Sequence, residues 1–121
     1  MTAMTLVQVA KLGAFALMLA SGQMLFKLAA TRTASGLNSI DGLRELLASP
    51  WFWLALVLYG AATYLWIAIL QRVPLSIAYP FVALGFVIVP FGAWLLFGET
   101  VGWRYAGGVV LIMAGIYLTA S

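Results

Sequence analysis

The chain has 121 residues, 65% of them hydrophobic and only 7% charged, with a formal net charge of +3 and a mean hydropathy of +1.11. Soluble domains carry about a quarter charged side chains, so this composition excludes a sizeable soluble domain and indicates an integral membrane protein. With no cysteine and no histidine, disulfides and thiolate or imidazole metal sites are closed, no metal or cofactor is expected, and the sparse basic residues form no nucleic-acid footprint.

A helix needs about 20 mostly apolar residues to cross a hydrocarbon core of about 30 Å. Four stretches qualify, at about 6–30, 51–70, 75–97 and 103–120. Period-two alternation is absent and open strands leave unpaired edges in lipid, so the expected fold is an all-α, four-span integral membrane bundle in one domain. The first stretch lacks the short apolar core and small-residue cleavage site of a signal peptide and is expected to be retained.

The first span carries Lys11 and Lys27, 16 residues apart. That is roughly 24 Å along a helix, so either ammonium can snorkel to a membrane face. The two point about 160° apart and need separate explanations. Lys27 shares its face with Gln23, Ala20, Ala16 and Gly13. Such a small-residue stripe either receives a neighbouring helix or leaves room for a substrate that slides toward the Gln and Lys.

The loop that follows opens flexibly at Thr31-Arg32-Thr33-Ala34-Ser35-Gly36. Over 39–48, with Ser39 or Asn38 as cap and Asp41 in the first turn, Ile40, Leu43, Leu46 and Leu47 fall on one face, as in a short interfacial helix lying on the membrane. Pro50 is expected to stop it, and Trp51, Phe52 and Trp53 to begin the second span as an aromatic belt. The short link Gln71-Arg72-Val73-Pro74 makes spans two and three antiparallel neighbours.

Span three holds Ser76, Tyr79 and Pro80, then Ala83, Gly85 and Pro90. Its prolines free backbone carbonyls at membrane depth, a feature of helices that border a cavity and also of simple kinks. Ser76 and Tyr79 are candidate donors to such a cavity. Gly98 is expected to end the helix, Glu99 to pair with Lys27 or Arg104, and Thr100 to cap span four, whose start at Trp103, Arg104 and Tyr105 reads as an interface anchor. In span four, Gly108 and Gly115 lie one heptad apart with Leu111 and Ile112 between them, a surface for close approach of a partner helix, so a dimer is expected. No Asp or Glu lies inside any span, which leaves no buried carboxylate to exchange a proton for a cation. Lys and Arg number two on the N-terminal side (Lys11, Arg72) and four on the other (Lys27, Arg32, Arg44, Arg104). That weakly favours both termini outside and leaves dual insertion open.

Met24-Leu25-Phe26-Lys27 in the first span, Ile77-Ala78-Tyr79 in the third and Gly108-x-x-Leu111-Ile112-x-x-Gly115 in the fourth resemble the small multidrug resistance family. The resemblance implies half-size drug/metabolite transporters that act as dimers, often antiparallel, through span four. Two departures weigh against proton-driven drug export. The family exporters' essential Glu, eight residues before the Lys, is Leu19 here, and their Gly-x-Gly is Ala83-Leu84-Gly85. Ala20-Ser21-Gly22-Gln23 with Lys27, the run from Leu70 to Pro80, and Phe97-Gly98-Glu99 are more similar to the small subunits of the aminoarabinose-phosphoundecaprenol flippase. That likeness implies a multi-pass protein of the bacterial inner membrane that helps move a lipid-linked, phosphate-bearing sugar, as a homodimer or as a heterodimer with a similar four-span subunit.

The residues expected to bind such a substrate are Lys27 and Gln23 for the phosphate, Ser76 and Tyr79 as cavity donors, and Arg72, Arg104 and Glu99 near the rims. No enzymatic step is expected. Competing readings are an exporter of amines or quaternary cations, using Trp53, Tyr59, Tyr64 and Trp66 as cation-binding faces, and an assembly factor that packs against a larger membrane enzyme.

Overall fold

In a computed structural model that describes residues 5–120, apart from the side chain of Ala120, the chain is all helix with short connections. The elements are α1 (Leu6–Arg32), α2 (Ile40–Leu47), α3 (Pro50–Leu70), α4 (Leu75–Ala78), a 3-10 stretch (Tyr79–Leu84), α5 (Gly85–Phe97) and α6 (Trp103–Ala120). Three segments, Leu6–Arg32, Pro50–Leu70 and Leu75–Phe97, are long and apolar enough to cross a membrane, and α6 is a shorter apolar helix. The chain is therefore a multi-pass membrane protein, consistent with a four-span bundle.

α1 starts at a capping box: the Gln8 amide donates to Thr5 Oγ1 at 3.2 Å and the Thr5 amide to Gln8 Oε1 at 3.0 Å. Two otherwise unpaired donors are thereby satisfied. Its 27 residues rise roughly 40 Å, more than the hydrocarbon core, so its ends reach the headgroups.

The seam between α1 and α3 is the tightest packing. α3 buries Ala55, Ala62 and Ile69, spaced by seven, against Leu12, Phe15, Ala16, Ala20, Gly22 and Ala29 of α1. Between membrane helices there is no water to expel, so small residues that let backbones approach supply attraction through dispersion. At one end Leu12, Phe15, Ala62 and Ile69 join Val73 and Ala78, which ties the α3–α4 turn into the same core. There the Phe15 and Trp66 rings stack at 4.7 Å.

α2 forms as the amphipathic pattern requires. Ser39 Oγ accepts from the Gly42 amide at 3.1 Å, and Ile40, Leu43 and Leu47 remain exposed on its apolar face. Pro50 and Thr100 depart in detail from expectation. Pro50 starts α3 rather than stopping α2, because the first helical position needs no N–H. The last carbonyl of α2 accepts instead from Trp53 Nε1 at 2.6 Å. Thr100 does not cap α6: the Ala106 amide bonds the Gly102 carbonyl at 3.0 Å, which makes Gly102 the cap.

Span three breaks where proline dictates. Pro80 has no N–H to offer the Ser76 carbonyl, and the chain runs as a 3-10 helix from Tyr79 to Leu84 before α-geometry resumes. Pro90 lies inside α5 and leaves the Phe86 carbonyl without its helical donor. Tyr105 of α6 fills the gap with a long hydrogen bond of 3.5 Å to that carbonyl.

The loop before α2 is closed by Glu45, whose carboxylate accepts from Ser35 Oγ at 2.9 Å, from the Ser35 amide at 3.2 Å and from the Ala34 amide at 2.6 Å. The Ser35 hydroxyl chiefly, then the Ser35 and Ala34 amides, hold the Glu45 carboxyl below its ordinary value against a small opposing effect of burial. A lowered carboxyl stabilises the loop at pH above the ordinary carboxylate range, and the stabilisation disappears as pH falls through the lowered value. Protection of the Ala34 and Ser35 amides from hydrogen exchange should therefore hold from neutrality into the mildly acidic range and fade below it. Glu45→Gln should show weak protection throughout, and equal protection in both proteins at neutral pH is the contrary result.

Candidate functional site

A cleft of about 560 Å³ opens between α1, α3, the 3-10 stretch and α5, with Tyr105 of α6 at its edge. Ala16, Ala20 and Gln23 of α1 line it together with Tyr59 of α3 and Gly85, Val89 and Pro90 of α5. The small-residue stripe thus serves both purposes: Ala16 and Ala20 are buried and also leave space beside the Gln23 amide.

Tyr59 is where the polarity of the cleft is set. The Gln23 Nε2 amide donates to Tyr59 Oη at 2.5 Å, and Phe26 packs against the same ring at 5.2 Å. The phenol can lie across α1 only because residue 22 is glycine; a Cβ there would collide with the Tyr59 ring. The phenol O–H and the amide oxygen remain free to meet a ligand.

One turn beyond Gln23, Lys27 Nζ lies 3.5 Å from Glu99 Oε2, each side chain about half exposed (49% and 48%). The Glu99 side chain is delivered by the end of α5. Gly98 takes φ of 67°, a left-handed conformation that costs other residues energy, and the Glu99 amide folds back on the Ala93 carbonyl at 3.3 Å. Between the two partners considered for Glu99, the structure chooses Lys27, and Arg104 is exposed at the start of α6 near the same end. Glu99 also lines a smaller cleft of about 330 Å³ that shares Val89, Pro90 and Tyr105 with the first.

The remaining candidates lie apart. Ser76 and Tyr79 are exposed and do not line the 560 Å³ cleft. The Tyr79 and Trp66 rings meet edge to face with centroids 6.5 Å apart. Arg72 is exposed in the turn at the opposite end of the bundle from Lys27. Of the four rings on span two weighed as cation-binding faces, only Tyr59 lines this cleft. Trp66 is engaged by Phe15 and Tyr79, while Trp53 and Tyr64 are half or more exposed on other faces. The roles of Tyr59 and Tyr105 at the site were not legible as such in the sequence. Glycine beside Gln23 and the spacing of four from Phe86 to Pro90 are the signals they left.

A second groove of about 560 Å³ adjoins the first, lined by Phe86, Val87, Phe91 and Trp94 on the α5 side and by Val101, Ala106 and Val109 on the α6 side. Its walls are almost wholly apolar. Phe86, Pro90 and Tyr105 border both spaces.

The sequence profile of the small multidrug resistance family matches residues 28–112. The chain belongs to that family. A Pseudomonas aeruginosa protein named "Probable 4-amino-4-deoxy-L-arabinose-phosphoundecaprenol flippase subunit ArnE" is 44% identical over 82 residues, covering 68% of this chain and 71% of that protein. Proteins of the same name from Pseudomonas paraeruginosa, at 44% over 82 residues with the same coverage, and from Salmonella enteritidis, at 45% over 71 residues, 59% of this chain and 64% of that protein, are also similar. No solved structure matches. Leu19, at the position where the resemblance places the exporters' carboxylate, is among the residues lining the cleft, and none of those residues is acidic.

The Gly22–Tyr59 approach is testable by a double-mutant cycle in detergent micelles. Gly22→Ala should cost about 1–3 kcal/mol of stability, the usual range for overpacking a close contact. In a Tyr59→Ala background the same change should cost almost nothing, whereas an equal cost in both backgrounds would show that the ring is not what glycine accommodates.

Proposed function

We infer that the chain is a flippase subunit that moves an undecaprenyl-phosphate-linked sugar, of the aminoarabinose type, between leaflets of the bacterial inner membrane. The observation that carries this reading is the pairing of two adjoining spaces: a cleft with amide, phenol and a rim lysine but no lining acid, and an apolar groove beside it between α5 and α6. A lipid-linked sugar phosphate has the same division. Its headgroup requires donors and a cation, and its prenyl chain requires an apolar surface continuous with lipid.

In this reading Gln23, Tyr59 and Lys27 receive the phosphate and sugar, with Arg104 near the same rim. Ser76, Tyr79 and Arg72 can join the path only at another stage of transport, since they lie outside the cleft. No bond of the cargo is broken. The fourth helix supports a partner subunit, homologous or identical: a Cβ at Gly108 or Gly115 meets nothing within 4 Å, and Leu111 is 74% exposed. Gly108, Leu111, Ile112 and Gly115 are thus available for a close helix–helix contact.

The exporter reading requires a carboxylate that trades protons for cations, and the cleft lining lacks one. Purified chain, with and without a paralogous four-span partner, should translocate labelled undecaprenyl-phosphate amino sugar in vesicles. Lys27→Glu and Gln23→Leu should lower the rate at least about tenfold, the effect of losing one charge-assisted contact, with insertion unchanged. Proton release on adding a quaternary amine to pure protein, without lipid movement, would favour the exporter instead. For the partner contact, Gly115→Leu should weaken subunit association about tenfold or more in a cross-linking titration, and undiminished association would place the interface elsewhere.

A further inference from the structure

Lys27 and Glu99 form the one ion pair among the described residues, and it stands at the end of the cleft system rather than away from it. Its separation of 3.5 Å and its half exposure mark it as weak, since an exposed pair contributes about 0–1 kcal/mol. A pair that weak is a poor structural staple. It does, however, keep one cation and one anion in place at a site whose other lining groups are neutral.

Resting on the flippase reading, we propose that Glu99 is a specificity-determining residue, and that the Lys27–Glu99 pair opens to grip a zwitterionic lipid headgroup. Lys27 takes the phosphate and Glu99 takes a primary ammonium on the same headgroup. The names of the similar Pseudomonas and Salmonella proteins describe a cargo with both groups, a 4-amino sugar joined to a phosphate. In such a sugar the amine and the phosphate lie across the ring from each other, so one carboxylate and one ammonium must separate to reach both. Each charge then exchanges a solvated partner for a charge-assisted hydrogen bond in a less polar setting, and neither is left uncompensated.

Several features of the surroundings support this division. Glu99 is held by the left-handed turn at Gly98 and lines the 330 Å³ cleft beside Val89, Pro90 and Tyr105. Lys27 follows Gln23 by one turn on α1, on the side of the amide and phenol. Arg32 and Arg104 at this end are cations, and the acids of the α2 loop lie elsewhere, Glu45 closing the loop on Ala34 and Ser35. Glu99, between α5 and α6, is the acid that lines the cleft system and can meet an ammonium. A carrier with phosphate alone would be served by Lys27 and the arginines, and Glu99 would then only compete with it for Lys27.

The test is calorimetric binding of short-chain prenyl-phosphate amino sugar, the same compound with its amine acetylated, and short-chain phosphatidylethanolamine, to detergent-purified protein. The natural chain should prefer the free amine over the acetylated form by about tenfold, equivalent to about 1.4 kcal/mol. Glu99→Gln should abolish that preference without weakening the acetylated ligand, and Lys27→Gln should weaken both sugars alike. The exchanged variant K27E/E99K should unfold with the same midpoint as the natural chain and fail to recover the preference, because the charges now have the wrong polarity for the cargo.

A preference that survives Glu99→Gln, or that returns in the exchanged variant, overturns the proposal. Equal binding of both sugars by the natural chain overturns it too and leaves the flippase reading intact. Binding of none of the three ligands overturns the flippase reading and the proposal with it. Binding of phosphatidylethanolamine alone, with the same dependence on Glu99, upholds the charge reading and assigns the cargo to a membrane phospholipid.

Discussion

Close approach of α1 and α3 is the constraint from which the rest of the arrangement follows. In a bilayer two apolar helices gain nothing by leaving lipid unless their surfaces fit better with each other than with acyl chains. Here the fit comes from alanines at 16, 20, 29, 55 and 62 and from Gly22, which together bring the two backbones near enough for Tyr59 to lie across α1. That approach carries the Gln23–Tyr59 hydrogen bond with it. The polar part of the cleft is a consequence of packing between small residues.

The opposite wall depends on what lipid withholds. A carbonyl released by proline finds no water at membrane depth and must be satisfied by protein. Pro80 shifts the chain into 3-10 winding, and Pro90 releases the Phe86 carbonyl, which draws the Tyr105 hydroxyl from α6. Tyr105 therefore occupies the junction of the Gln23–Tyr59 cleft and the apolar groove. One hydrogen bond both completes the backbone and separates two kinds of surface.

Charge is distributed in keeping with a negatively charged cargo. The cleft lining contains no carboxylate, Leu19 stands where exporters of the small multidrug resistance family are expected to keep theirs, and the single acid at the rim is neutralised by Lys27. Glu45, the acid whose carboxyl is held below its ordinary value, is spent on closing the loop before α2 and lies outside the spans. α6 contributes little to the cleft beyond Tyr105, and its glycines face open space. That open face is where the proposed partner subunit would pack.

Much of the architecture was legible in order of residues alone, because hydropathy decides membrane crossing through transfer free energy summed over some twenty side chains, regardless of which neighbours they meet. The helical segments, the capped amphipathic helix at Ser39, the left-handed end at Gly98, the break at Pro80, the carbonyl freed at Pro90 and the absence of a lining acid all follow from local chemistry of this kind. Contacts between segments far apart in sequence do not. Whether Glu99 meets Lys27 or Arg104, whether Tyr79 faces the cleft or Trp66, and which aromatic of α3 meets Gln23 depend on helix rotation and crossing, which small changes in packing alter. Composition determined that this protein lives in a membrane with spans free of acids; only tertiary packing decided which few side chains share the cleft, because rotation about a helix axis costs little until neighbouring surfaces lock together.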